Sequence, residues 1–195
     1  MKNLTIHDLH FAVLFEREEI VERVRGVARR INTAYEGCEP MFVVLLNGAM
    51  FFAVDLLREV SLPCMVETLR TSSYGHSTVS SGTVQFLTPL PDVRGKDVII
   101  IEDIVDTGLT LRAVIDALKE REPRSLSVAA FINKPESHEQ QVQVDYACYT
   151  QNVGFVVGYG LDYAGRGREF VDVYERTASP GEPSADRDSS SLCSE

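Results

Sequence analysis

Cysteine is scarce in this chain and widely scattered. Its four residues, Cys38, Cys64, Cys148 and Cys193, form no CxxC pair and have no companion histidine at zinc spacing. A Cys/His zinc site is excluded on that pattern, and reduced cytosolic thiols are the default, so a cytoplasmic protein is expected. Basic charge is in deficit too. The 19 Lys and Arg face 29 Asp and Glu, a net charge of −10. Such a balance argues against a nucleic-acid or anionic-membrane surface. Long apolar runs are missing: no stretch could span a bilayer, and Met1 to His10 has no apolar core of signal-peptide length.

What is present suits a soluble globular domain. Hydrophobic residues make up 44% of the 195 and charged residues 25%, enough for one domain with a sizeable core. From Glu16 to Tyr35, the apolar residues Ile20, Val24, Val27, Ala28, Ile31, Ala34 and Tyr35 share one helical face. Acids at the start and Arg29 and Arg30 near the end suit the helix dipole, and Gly37 is a plausible stop. Met41–Leu46 is a short apolar strand, followed by a turn at Asn47-Gly48 and a helix over Ala49–Val60. Cys64–Arg70 and Thr83–Leu87 read as hairpin partners across a Ser/Gly-rich mobile loop, Ser72–Gly82. Asp97–Ile101 is the most buried-looking strand, and Leu111–Glu120 is the helix after it. Further strands are expected at Ser125–Ile132, Asp145–Tyr149, Phe155–Gly158 and Val171–Tyr174. Strands alternating with helices predict an α/β fold with a mostly parallel sheet. After Arg176 the composition turns polar and acidic, so residues 1–176 are expected to form the domain and 177–195 a disordered tail.

The informative segment is Val98–Leu111, which reads Val-Ile-Ile-Ile-Glu-Asp-Ile-Val-Asp-Thr-Gly-Leu-Thr-Leu. An apolar strand runs into carboxylates at its C-terminal end, where parallel sheets bind ligands. The small residues that follow leave backbone amides open at a helix start, which suits a phosphate. The carboxylates suit sugar hydroxyls and a divalent metal.

This order of residues resembles the phosphoribosyl-pyrophosphate (PRPP) signature of the type I phosphoribosyltransferases. From Leu4 to Arg168 the chain looks like a member of the hypoxanthine–guanine subfamily, with four segments matching in order. The resemblance implies a central mostly parallel sheet flanked by helices, with a small hood and a flexible lid loop. It implies purine salvage with Mg²⁺ as cofactor: transfer of 5-phosphoribosyl from PRPP to hypoxanthine or guanine. It also implies a homodimer or homotetramer.

The implied roles fall on particular residues. Glu102 and Asp103 would lie beside the ribose hydroxyls, directly or through Mg²⁺. Asp106 would be the general base near purine nitrogen 7. Thr107, Gly108, Leu109 and Thr110 would cradle the 5-phosphate, although many relatives carry lysine where Leu109 stands. Leu46, Asn47 and Gly48 match a pyrophosphate-binding turn with a non-proline cis peptide; relatives often have lysine at the Asn47 position. Read from the residues alone, Asn47-Gly48 is also an ordinary tight turn. Ser73 and Tyr74 match a lid, and alone they read as part of an exposed loop. Lys134 would donate to the 6-oxo group and select hypoxanthine and guanine over adenine; alone, it reads as a solvated strand-end lysine. Phe155 would stack on the base or pack in the core, or do both, and Val156 would offer backbone contacts. Asp162 would hold a second Mg²⁺, and Arg168 would contact the pyrophosphate.

Two other functions compete. A regulatory binding protein could keep the PRPP loop and bind nucleic acid, but the acidic excess argues against a basic footprint. An adenine or orotate transferase is opposed by Lys134 and the Phe155 segment.

Overall fold

The computed structural model describes residues 3–73 and 84–177. A hairpin opens the chain: β1 (Asn3–Ile6) and β2 (Leu9–Phe15), joined through His7 and Asp8. Then come α1 (Arg17–Ala34), β3 (Met41–Leu46), α2 (Met50–Glu59), β4 (Met65–Ser73) and β5 (Val84–Phe86). Next are β6 (Asp97–Val105), α3 (Leu109–Lys119) and β7 (Ser125–Asn133). After a 3₁₀ turn at Pro135–Ser137 the chain forms β8 (Tyr146–Thr150), β9 (Val156–Val157) and β10 (Val173–Arg176).

The main sheet has the order β5-β4-β3-β6-β7-β8. From β4 to β8 its neighbours are parallel, and β5 returns antiparallel on the end of β4. The α/β expectation holds, and the apolar runs have a physical reason: parallel strands are covered on both faces. Phe42, Val44, Ile99 and Ile101 face α1 and α2 and pack with Ile20, Val24, Ile31, Phe52 and Leu56. Val43, Leu45, Val98 and Ile100 face the opposite layer, where Leu111, Val114 and Leu118 of α3 cover them. Burying each such side chain contributes about 1.5–3 kcal/mol.

Several details depart from the sequence reading. β6 continues to Val105 because Ile104 and Val105 pair with Ile132 and Asn133 of β7. Glu102 and Asp103 therefore lie within the strand's second half, not past its end. The last turn of α1 carries no basic residue, so Arg29 and Arg30 stand too early to complement that end of the dipole. Ser72 and Ser73, expected in the loop, belong to β4 and pair with Gln85 and Val84. Of Phe155–Gly158, only Val156–Val157 is a strand, and it joins a second sheet.

That second sheet is antiparallel, in the order β1-β2-β10-β9. Ile6, Phe11, Val157 and Tyr174 form its small core. Thr177 extends the β2–β10 pairing, donating from both its amide and its hydroxyl to the His10 carbonyl. The remainder of the tail and most of the expected lid, including Tyr74, lie outside the described residues.

Candidate active site

Three turns meet at the C-terminal edge of the main sheet. The first follows β3. Its Leu46–Asn47 peptide is cis, as the resemblance implied. Gly48 lies directly against the Asp103 carboxylate: a Cβ added there would fall 1.5 Å from Asp103 Oδ2. The Gly48 carbonyl in turn leaves no room for a Cβ on Gly160, which would sit 2.1 Å from that oxygen. Glycine at both positions is what lets the β3 turn, the end of β6 and the Gly158–Leu161 segment close on one another.

The second turn follows β6. Asp106, Thr107, Gly108 and Thr110 line a small cavity of about 100 Å³ together with Glu102, Ile104, Val105 and Leu111. Leu109 does not line it; its amide donates to the Thr107 hydroxyl at 3.4 Å. Apart from that bond, Gly108 brings no side-chain cap to the start of α3, which leaves the amides that follow Leu109 available to an anion. The Thr107 carbonyl accepts from the amides of Glu139 and Gln140. That loop therefore braces the turn from behind.

A larger cleft, about 270 Å³, opens between the sheets. Asp103, Ile104, Asp106, Lys134, Gly154, Phe155, Val156, Leu161 and Asp162 line it. The structure thus brings together the expected base, the expected 6-oxo reader and the expected stacking ring. Lys134 Nζ lies 2.9 Å from Asp106 Oδ2. The lysine side chain is 12% exposed, so it is not the solvated strand-end lysine of the bland alternative. Phe155 is 45% exposed yet packs one side on Phe11 and Tyr163, so packing and an open ring face coexist. Val156 is buried and pairs through its backbone with Glu175. Ile104, Gly154 and Leu161 were not singled out from sequence. Ile104 stands inside the motif and alternates with the acids, a signal that was there to use.

Arg168 lies beside this cleft. It donates to the Gly160 carbonyl at 2.5 Å and pairs with Asp162 at 2.6 Å. The other Asp162 oxygen accepts from the Gly165 amide. Of the two residues expected in a lid, Ser73 closes β4 and Tyr74 lies outside the described residues.

The acids differ in their surroundings. Glu102 is buried, and burial, followed by the adjacent Asp103 charge, pushes its carboxyl well above the usual range. Its oxygen accepts from the Asp103 amide, while Asp103 accepts from the Ile104 amide. Neither acid has a cationic partner among the described residues. Two adjacent hard-oxygen ligands without a countercharge fit a divalent cation such as Mg²⁺, which is commonly held by one or two carboxylates and completed by substrate oxygens. No cluster of three or more metal-ligating side chains occurs among the described residues.

A small cavity at the turn and a larger cleft meet at one sheet edge, and residues 13–164 match the phosphoribosyl transferase domain model, which makes the chain a phosphoribosyltransferase-family protein. The chain is 40% identical over 165 residues to the hypoxanthine-guanine phosphoribosyltransferase of Mycobacterium avium, covering 81% of each chain. The crystal structure of the Bacillus anthracis hypoxanthine-guanine phosphoribosyltransferase superposes with a TM-score of 0.80 at 31% identity, covering 84% of this chain and 97% of that one. A bifunctional TilS/HprT protein of Listeria monocytogenes is 39% identical over 167 residues, and the chain spans 26% of its length. The chain belongs to the type I phosphoribosyltransferase family, in its hypoxanthine–guanine branch.

Proposed function

We propose that this protein transfers the 5-phosphoribosyl group from PRPP to hypoxanthine, and to guanine, giving the nucleotide and pyrophosphate. The observation that carries this reading is the 2.9 Å pair of Lys134 and Asp106 beside the open face of Phe155. Purine nitrogen 7 and the 6-oxo group are neighbours on one edge of a 6-oxopurine. A donor and a carboxylate held this close match that edge. Lys134 donates to the oxygen, and Asp106 takes the proton that the purine must lose as nitrogen 9 attacks. Adenine offers a 6-amino donor instead, which Lys134 opposes.

The remaining groups divide the PRPP molecule among them. Amides from Asp106 to Thr110, with the Thr107 and Thr110 hydroxyls, hold the 5-phosphate. Glu102 and Asp103 address the ribose hydroxyls and a Mg²⁺ ion, and Asp162 reaches a second ion with the lone pairs its present partners leave free. When bound at these carboxylates, Mg²⁺ would supply charge neutralisation for the pyrophosphate. Leu46, Asn47, Gly48 and Arg168 address the pyrophosphate itself. Ser73 and Tyr74 belong to a lid that keeps water from the cationic sugar. The free thiols of Cys38, Cys64 and Cys148 support a cytoplasmic setting. No helix among the described residues is long and apolar enough to cross a membrane. Exposed Met50, Val54 and Val66 support a homodimer or homotetramer.

Steady-state kinetics with PRPP, Mg²⁺ and each of hypoxanthine, guanine, xanthine and adenine test the reading. Turnover of hypoxanthine and guanine with adenine far behind supports it. Adenine as the preferred base, or no turnover of any purine, overturns it.

A further inference from the structure

The turn between β1 and β2 contributes no residue to the purine cleft, yet it is bonded to Tyr163, which packs on the lining residue Phe155. The Tyr163 hydroxyl donates to Asp8 Oδ1 at 2.8 Å, across 155 residues of sequence. The His7 ring meets the Tyr163 ring edge-on, with centroids 5.5 Å apart and planes at 82°. Tyr163 meets Phe155 the same way, at 5.6 Å and 84°. Phe11, buried in the β2 strand, supports Phe155 from another side at 6.2 Å. Tyr163 is also pinned by its own backbone, which exchanges two hydrogen bonds with Arg166. Its neighbour Asp162 lines the cleft.

Phe155 is half exposed, and the rings of Phe11 and Tyr163 pack against its own. An edge-to-face contact fixes a ring only as well as the partner ring is itself fixed. Tyr163 is anchored on the outer side by the bond to Asp8 and by His7. We infer that Asp8 and Tyr163 are positioning residues for the purine: their hydrogen bond holds the Tyr163 ring, which sets the plane of Phe155 and so the affinity for the base. The inference rests on the proposed role of the cleft as the purine site. The N-terminal hairpin would thereby tune base binding without touching the base.

A net contribution of one hydrogen bond predicts that Tyr163→Phe and Asp8→Asn each raise KM for hypoxanthine about three- to tenfold. Turnover at saturating purine and KM for PRPP should move less than about twofold, because neither residue reaches the sugar or the phosphates. The double variant should behave like either single one, since both remove the same bond. Tyr163→Leu, which also removes the ring edge, should raise KM further. Melting temperatures of the two conservative variants report whether the fold is intact, and calorimetric titration with inosine monophosphate gives a readout apart from turnover. A wild-type protein that converts no purine overturns the reading of the cleft and this inference with it. If wild type turns over hypoxanthine while both conservative variants keep its KM within about twofold, the inference alone fails. A rise in KM accompanied by a parallel fall in turnover and melting temperature would mark the bond as merely structural and also overturn it.

Discussion

The ammonium of Lys134 lies 2.9 Å from the carboxylate of Asp106, although 28 residues separate them. β6 and β7 are parallel neighbours whose register pairs Val105 with Asn133, so the residue after each strand meets the other. Adjacent strand ends thus place one donor and one carboxylate side by side at the mouth of the cleft. The lysine is nearly covered and the aspartate half exposed, which leaves the carboxylate accessible to a ligand while the lysine is held.

If Asp106 takes the purine proton, Asp106→Asn should lower turnover about 10²–10⁴-fold, the usual cost of a lost general base. KM for PRPP should change much less. Steady-state kinetics with both substrates measure this, and turnover within about threefold of wild type would remove Asp106 from the mechanism.

Lys134→Gln should change base choice. A glutamine amide presents either a donor or an acceptor, whereas lysine only donates. The ratio of kcat/KM for hypoxanthine to that for adenine should fall by about tenfold or more. An unchanged ratio would show that Lys134 does not read position 6.

Two glycine variants should separate site from fold. In Gly48→Ala the new methyl meets the tip of the Asp103 side chain, which can move aside. KM for PRPP should rise and turnover fall, each by roughly tenfold, while the melting temperature stays near wild type. In Gly160→Ala the methyl meets the Gly48 backbone carbonyl, on a residue whose φ is +103°. Stability should fall as well, by about 1–3 kcal/mol. Thermal melts beside kinetics decide the matter, and wild-type kinetics for Gly48→Ala would show that the placement of Asp103 is immaterial.

Asp55 supplies a pH test away from the chemistry. Burial pushes its carboxyl up, but the Arg17 guanidinium and the Tyr159 hydroxyl outweigh that and hold it below the usual value of 3.8. A depressed folded value stabilises above the unfolded one and is lost as pH falls through it. Asp55→Asn should therefore melt below wild type at neutral pH, and the gap should close as pH drops below about 4. A gap that persists unchanged at low pH would show that the ionised carboxylate contributes nothing.

How much was legible depended on sequence distance. The Val98–Ile101 run announces a strand covered on both faces because four consecutive β-branched residues suit a pleated sheet better than a helix. The phosphate turn is contiguous, so its glycine, threonines and acids can be read in place. Lys134 and Phe155 are ordinary residues alone and gained meaning only through their order relative to that turn. The hairpin sheet escaped notice because its pairing is remote: Phe11 sits opposite Arg176, and β9 is two residues long. The contact of Gly48 with Asp103 and the bond of Tyr163 to Asp8 have no local signature. They arise from close approach in three dimensions, which neither spacing nor composition encodes.

The most direct test of the central claim is a stoichiometry. The protein is incubated with PRPP, Mg²⁺ and hypoxanthine, and pyrophosphate and inosine monophosphate are followed together. The account predicts that the two appear in equal amounts, that omitting hypoxanthine abolishes both, and that adenine replaces it poorly. Pyrophosphate released at the same rate without a purine, or no inosine monophosphate at all, would contradict it.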